Sequence, residues 1–135
     1  MVFLEIYEGK VIIKVSKERK RVVYMYGDLT SILKEFEHDM RRIFKDDFCM
    51  VRLYGSYARG DYHQDSDIDV MVLVNTPVEK INSFYDQVSD CAFEYLMKYK
   101  VDISPVIKNI VHFNYWKNDL PYYHNVEQEG IVVNG

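Results

Sequence analysis

Apolar residues recur along this chain with two different periods. From Leu29 onward, Leu29, Ile32, Leu33, Phe36, Met40, Ile43 and Phe44 fall at three- and four-residue spacing, with Lys34, Glu35, Glu37, Asp39, Arg41 and Arg42 on the opposite face. That is the period of an amphipathic helix packed on a core. Gly27 breaks the pattern before it, and Asp28 is its expected N-cap. Phe48 to Tyr54 predicts a strand. Val70-Met71-Val72-Leu73-Val74 is a continuous apolar run rich in β-branched residues, which predicts a buried strand. Thr76-Pro77-Val78-Glu79 predicts a helix start, with Thr76 as N-cap, Pro77 at the first helical position and Glu79 completing a capping box. The stripe Ile81, Phe84, Tyr85, Val88, Ala92, Tyr95, Leu96 and Tyr99 carries that helix onward. Val101 to Val106 predicts the next strand, which Pro105 restricts to a sheet edge or a bulge. The tail then reads as a loop and a helix that begins near Pro121, is capped by Asp119 and stops at Gly130. A short strand, Ile131-Val132-Val133, follows.

The N-terminal part has a different pattern. Val2 to Tyr7 and Val11 to Val15 flank Glu8-Gly9-Lys10, which predicts a hairpin. Val22 to Tyr26 fits a third strand or a helical turn. Lys17-Glu18-Arg19-Lys20-Arg21 between them is expected to be a solvated loop. Residues 1–26 are thus read as an extension of the same domain as residues 27–135. In a chain of 135 residues that is one domain with one core.

Composition narrows the functional classes. A formal net charge of −4 argues against a broad nucleic-acid surface, which needs clustered positive charge. It leaves room for a small nucleotide whose charge is met by metal ions. Cys49 and Cys91 both lie in apolar segments and are expected to be reduced core residues. No signal pattern and no apolar run of membrane-spanning length is visible. The expected location is the cytoplasm.

The candidate chemistry lies between Leu53 and Val74. Asp67 and Asp69 stand at the entrance of the apolar run, two residues apart. Strand side chains alternate faces with a rise of about 3.3 Å per residue, so both carboxylates fall on one face. Carboxylates held together repel, and a shared proton or a hard cation resolves the repulsion. On the other side, Gly55 ends the preceding strand and permits a sharp turn and a close approach. Ser56 offers a hydroxyl and a backbone N–H at an expected helix start, Ser56-Tyr57-Ala58-Arg59, a place suited to a phosphate oxygen. Phosphate on one side and metal on the other implies a nucleoside triphosphate. Arg59 reaches either a triphosphate or a site carboxylate, or else forms a structural salt bridge in its loop. Asp61, His63 and Asp65 read as solvated loop residues, and Ser66 as a brace for the turn into the strand. Asp102 is an acid in an otherwise apolar strand. His38, His112 and His124 show no ligand spacing.

The string G-S-x10-D-x-D, here Gly55-Ser56 through Asp67 and Asp69, resembles the nucleotidyltransferase superfamily that includes DNA polymerase β. The fuller string G-S-Y-A-R-G…S-D-I-D-V is similar to the minimal nucleotidyltransferases, among them the antitoxins of two-gene systems whose partner is a HEPN-domain ribonuclease. The resemblance implies an α+β (α/β) fold, a small mixed sheet with helices packed on it, and the order of predicted elements places those helices on one face of the sheet. It implies that Asp67, Asp69 and Asp102 hold two Mg²⁺ ions and carry catalysis, and that Gly55, Ser56, Arg59 and Ser66 bind the nucleotide. It also implies ATP as donor, transfer of AMP to a tyrosine of a HEPN toxin, and action as an antitoxin.

Two other classes stand beside that expectation. One is a small-molecule adenylyltransferase acting on an aminoglycoside-like acceptor. The other is a binding module, either an antitoxin acting by contact or a nucleotide sensor. Residues 1–26 are the only part left over for an acceptor site. The acceptor side is therefore expected to come from a partner or from a second copy in a homo-oligomer.

Overall fold

The computed structural model describes residues 2–7, 10–15, 20–23, 27–63 and 65–134, with residues up to 28 given as backbone only. The expected turn at Glu8-Gly9 and the residues Lys17 to Arg19 lie outside the described ones. The strands are β1 (Val2–Tyr7), β2 (Lys10–Val15), β3 (Lys20–Val23), β4 (Phe48–Tyr54), β5 (Ile68–Val74), β6 (Ile103–Asn109) and β7 (Ile131–Val133). The helices are α1 (Gly27–Phe44), α2 (Ser56–Arg59), α3 (Val78–Ile81), α4 (Tyr85–Tyr99), α5 (Ile110–Trp116) and α6 (Pro121–Glu129). The strands among the described residues form one mixed sheet in the order β3-β2-β1-β7-β4-β5-β6. β4 runs antiparallel to β5 and β7, and β5 runs parallel to β6. Lys20 and Arg21, expected in a solvated loop, belong to β3 and pair with β2.

β5 is the axis of the molecule. Its side chains alternate between two apolar layers. Ile68, Val70, Val72 and Val74 pack with Val51 and Leu53 of β4 against α1 and α4. Met71 and Leu73 pack with Phe113 of α5 and with Tyr123 and Val126 of α6. Helices therefore cover both faces, not one as the element order suggested, because α5 and α6 pack on Met71 and Leu73, and this is why β5 has no polar alternation. Arg52 is held under the second layer. Its guanidinium pairs with Glu127 at 3.0 Å and lies 5.7 Å from the Phe113 ring centroid.

Several local expectations give way to tertiary contacts. Glu37, placed by periodicity on the polar face of α1, is buried, with Arg41 one turn on donating to it. α1 already begins at Gly27, so Asp28 lies inside its first turn rather than before it. Thr76 does not cap a helix. Its hydroxyl donates to Asp47 at 3.1 Å, the next helix starts at Val78, and a 3-10 turn at Asn82–Phe84 separates α3 from α4. α5 occupies a stretch expected to be a loop, and Asn109 caps it by accepting from the backbone of His112 at 3.0 Å. α6 has Leu120, not Asp119, at its N-cap. The strand expected at Val101 to Val106 runs from Ile103 to Asn109, with Pro105 on the edge of the sheet as its missing N–H requires. The exposed side of β6 is sealed in part by Tyr85, whose hydroxyl accepts from the Ile107 backbone at 3.1 Å.

α1 and α4 are joined by a polar knot. Asp39 accepts hydrogen bonds from the Tyr95 hydroxyl and from the Cys91 thiol. Burial and the Asp39 charge push Cys91 up to about 12 and raise Tyr95 as well. Both groups stay protonated in the native state and ionise in the unfolded chain near their ordinary values. The native state thus binds more protons above about pH 9, so stability is full below that pH and declines as pH rises through it. Thermal melts should show a constant midpoint from pH 7 to about 8.5 and a fall by pH 11. Tyr95→Phe should lose less over the same range; an equal loss in both proteins would remove Tyr95 from this account.

A carboxylate cluster at the mouth of the central strands

The register of β5 with its neighbours builds the site. Asp69 lies opposite Tyr54 of β4 and beside Ser104 of β6. Two residues back, the chain carries Asp67 up to Asp102, and the backbone N–H of Ile68 donates to the Asp102 carbonyl at 2.8 Å. The structure thus brings Asp102, distant in sequence, to the same edge of the sheet as Asp67 and Asp69. Asp67 and Asp102 are exposed there, and Asp69 is half-buried. The Asp102 carboxyl is held above the usual carboxylate range by its hydrogen bond with Asp67, then by burial and by the Asp67 charge. Asp69 is raised by burial and by Asp67, against the Arg59 guanidinium, which lowers it.

Gly55 is shaped by this cluster. Its φ is +73°, and a Cβ there would lie 2.3 Å from Oδ2 of Asp69. Only glycine gives both the backbone conformation and the space. The helix after it is a single turn, closed by bonds from Arg59 and Gly60 to the carbonyls of Gly55 and Ser56. So short a helix has almost no macrodipole, and what Ser56 offers is its own N–H and hydroxyl. Arg59 reaches Asp61 and Glu129, each at 3.2 Å, on the protein surface. Ser66 braces its turn, its Oγ accepting from the His63 N–H at 3.0 Å. Tyr57 stacks on Tyr62 with centroids 4.3 Å apart, which fastens the loop to the core.

Other residues at the site were not singled out from sequence. Tyr54 and Tyr122 share a hydroxyl–hydroxyl bond of 2.7 Å on the Asp69 side, and the Asp69 charge helps to raise both phenols. Ser104 sits beside Asp69. The parity of Tyr54, immediately before Gly55, could have shown that it shares a face with Asp69, but nothing local shows Tyr122 arriving from α6. A cavity of about 600 Å³ adjoins Asp67 and Asp102 on the α1 and α4 side.

Among the described residues, no group of three or more carboxylate, histidine or cysteine side chains is arranged to hold a metal ion by itself. The donor set is nevertheless suited to Mg²⁺. That ion takes one or two carboxylates, and waters and substrate phosphates supply the rest of its octahedron.

Residues 33–131 match the family described as nucleotidyltransferase domain, and the chain belongs to that family. It is an enzyme, a nucleotidyltransferase. Two similar proteins come from Methanocaldococcus jannaschii. The one named "Putative protein adenylyltransferase MJ0141" is 42% identical over 83 residues, covering 59% of this chain and 79% of that protein. The one named "Putative protein adenylyltransferase MJ0604" is 32% identical over 101 residues, covering 75% of this chain and 93% of that protein. A chain in a structure titled "Crystal structure of the toxin-antitoxin with AMP-PNP" has a TM-score of 0.48 and 19% identity, covering 76% of this chain and 73% of that one. No helix among the described residues is long and apolar enough to cross a membrane.

Gly55→Ala tests the packing of the turn. The positive φ and the clash with Asp69 should together cost about 1–3 kcal/mol in urea unfolding. An Asp69→Ala background removes the clashing oxygen, so the same substitution should cost less there; an unchanged cost would mean that backbone strain alone is responsible.

Proposed function

We propose that the protein is an adenylyltransferase that moves AMP from ATP to a tyrosine hydroxyl of a protein partner, and that the partner is a HEPN-domain toxin which this modification silences. The observation that carries this reading is the convergence of Asp67, Asp69 and Asp102 beside the Gly55–Ser56 turn. The names of the M. jannaschii relatives support protein as the acceptor class.

Gly55 and Ser56 hold the β- and γ-phosphates through backbone N–H and hydroxyl groups. Asp67 and Asp69 would hold Mg²⁺, and Asp102 beside Asp67 serves the acceptor side. When bound, the metal stabilises charge on the α-phosphate and on the departing pyrophosphate. The phenolic oxygen forms a bond to the α-phosphorus, the bond from that phosphorus to the bridging oxygen breaks, and pyrophosphate leaves in line. Asp102 accepts the phenolic proton. Arg59, tied to Asp61 and Glu129, moderates the charge of Asp69 and stands at the phosphate side of the turn.

The test is incubation with α-labelled ATP and Mg²⁺, with and without the product of the adjacent gene. Label should pass to the partner. Asp67→Asn should keep the wild-type melting curve and lose transfer by more than about a hundredfold, beyond what even an outer partner of a metal ligand costs. Tight partner binding without label, unaffected by Asp67→Asn, would instead assign neutralisation by contact, and label on an aminoglycoside would assign a small-molecule acceptor.

A further inference from the structure

The cavity of about 600 Å³ beside the carboxylates is accounted for by neither the metal nor the triphosphate. Its size lies within the range of about 300–1,000 Å³ typical of small-molecule sites. Leu29, Ile32 and Val101 give it apolar walls, and Tyr57 and Tyr99 give it aromatic ones. Ser31 and Glu35 of α1 supply polar groups at its edge. The Tyr99 hydroxyl donates to Oε2 of Glu35 at 2.7 Å. That bond fixes the carboxylate across the gap between α1 and the end of α4 and leaves Oε1 available as an acceptor.

Connectivity identifies the occupant. Asp67 and Asp102 line the cavity, whereas Gly55, Ser56 and Asp69 are not among its described walls. A nucleotide with its terminal phosphates at Gly55–Ser56 and its α-phosphate at Asp67 has one part left to place. A protein acceptor arrives on a broad surface and needs an open approach, which the exposed side at Ser104 and Tyr122 offers. A recess of molecular size suits the donor instead.

We propose that this cavity takes the nucleoside of the donor nucleotide, with Glu35 accepting a hydrogen bond from an exocyclic amino group of the base. The inference rests on the donor reading above. Adenine, guanine and cytosine carry such a group. Uracil carries no exocyclic amino group and offers only its ring N3–H, set between two carbonyl oxygens that a carboxylate repels, so the pocket selects against it.

The experiment is calorimetric binding with Mg²⁺ present and no acceptor. The probes are the α,β-methylene analogues of ATP and UTP, and inorganic tripolyphosphate. Ser31 is exposed, so Ser31→Trp fills the cavity without touching the core. It should weaken the ATP analogue at least tenfold and leave tripolyphosphate unchanged. Glu35→Gln, whose amide can donate to a uracil carbonyl, should shrink the preference for the ATP analogue over the UTP analogue at least fivefold. Unchanged affinity for the ATP analogue in Ser31→Trp, or an equal loss for tripolyphosphate, overturns the assignment of the cavity. An unchanged preference in Glu35→Gln overturns the role of Glu35. Because no transfer is measured, the outcome is separate from that of the labelling assay. Wild-type transfer with a silent Ser31→Trp would sink this inference alone, and the expected binding changes without any protein labelling would sink only the acceptor reading.

Discussion

Three carboxylates held at one edge of a sheet are the constraint on which the structure depends. Two unit charges 4 Å apart repel by about 4 kcal/mol at the effective dielectric of a protein surface. Among the described residues, the hydrogen bond between Asp67 and Asp102 and the nearby Arg59 guanidinium offset part of this. The opposing free energy comes from behind. Val70, Met71, Val72, Leu73 and Val74 are all fully buried, and each such side chain contributes about 1.5–3 kcal/mol. β5 is anchored so firmly that its polar entrance cannot relax away. Gly55 shows how tightly the arrangement is drawn, since even a methyl group would meet the Asp69 carboxylate.

The same central strand separates two working faces. On one side α1 and α4 lie over Val70 and Val72 and are tied together through Asp39, Tyr95 and Cys91. Their ends frame the cavity beside Asp67 and Asp102. On the other side α5 and α6 cover Met71 and Leu73, and the Arg52–Glu127 pair fixes α6 on β4. That pairing lets Tyr122 reach Tyr54 near Asp69. A rigid strand with different partners on its two faces suits a two-substrate reaction, in which donor and acceptor must meet at one phosphorus without competing for the same space.

Much of this was legible from residue order. The period of α1, the unbroken apolar run of β5 and the Gly55-Ser56 to Asp67-Asp69 spacing are local patterns, and each reports a local requirement: a buried stripe, a buried strand, a sharp turn beside the acids. The errors were also of one kind. Thr76 would cap a helix if Asp47 did not take its hydroxyl. Glu37 would face water if the packing around α1 did not bury it, with the exposed Arg41 donating to it. Lys20 and Arg21 would lie in a loop if β2 did not offer an edge. In each case a contact distant in sequence, or the burial of the segment, outweighed a local preference of about 1 kcal/mol.

The sequence by itself determined the central strand, the flanking helices α1 and α4, the glycine turn and the two acids of the D-x-D pair, because periodicity and spacing are properties of neighbouring residues. Only the tertiary structure decided that β6 lies parallel to β5, so that Asp102 comes to Asp67. It also decided that α6 returns to place Tyr122 by the site, and that α1 and α4 leave a cavity between Glu35 and Asp102. These depend on strand pairing and helix packing between segments tens of residues apart, and no local pattern encodes the register in which distant surfaces meet.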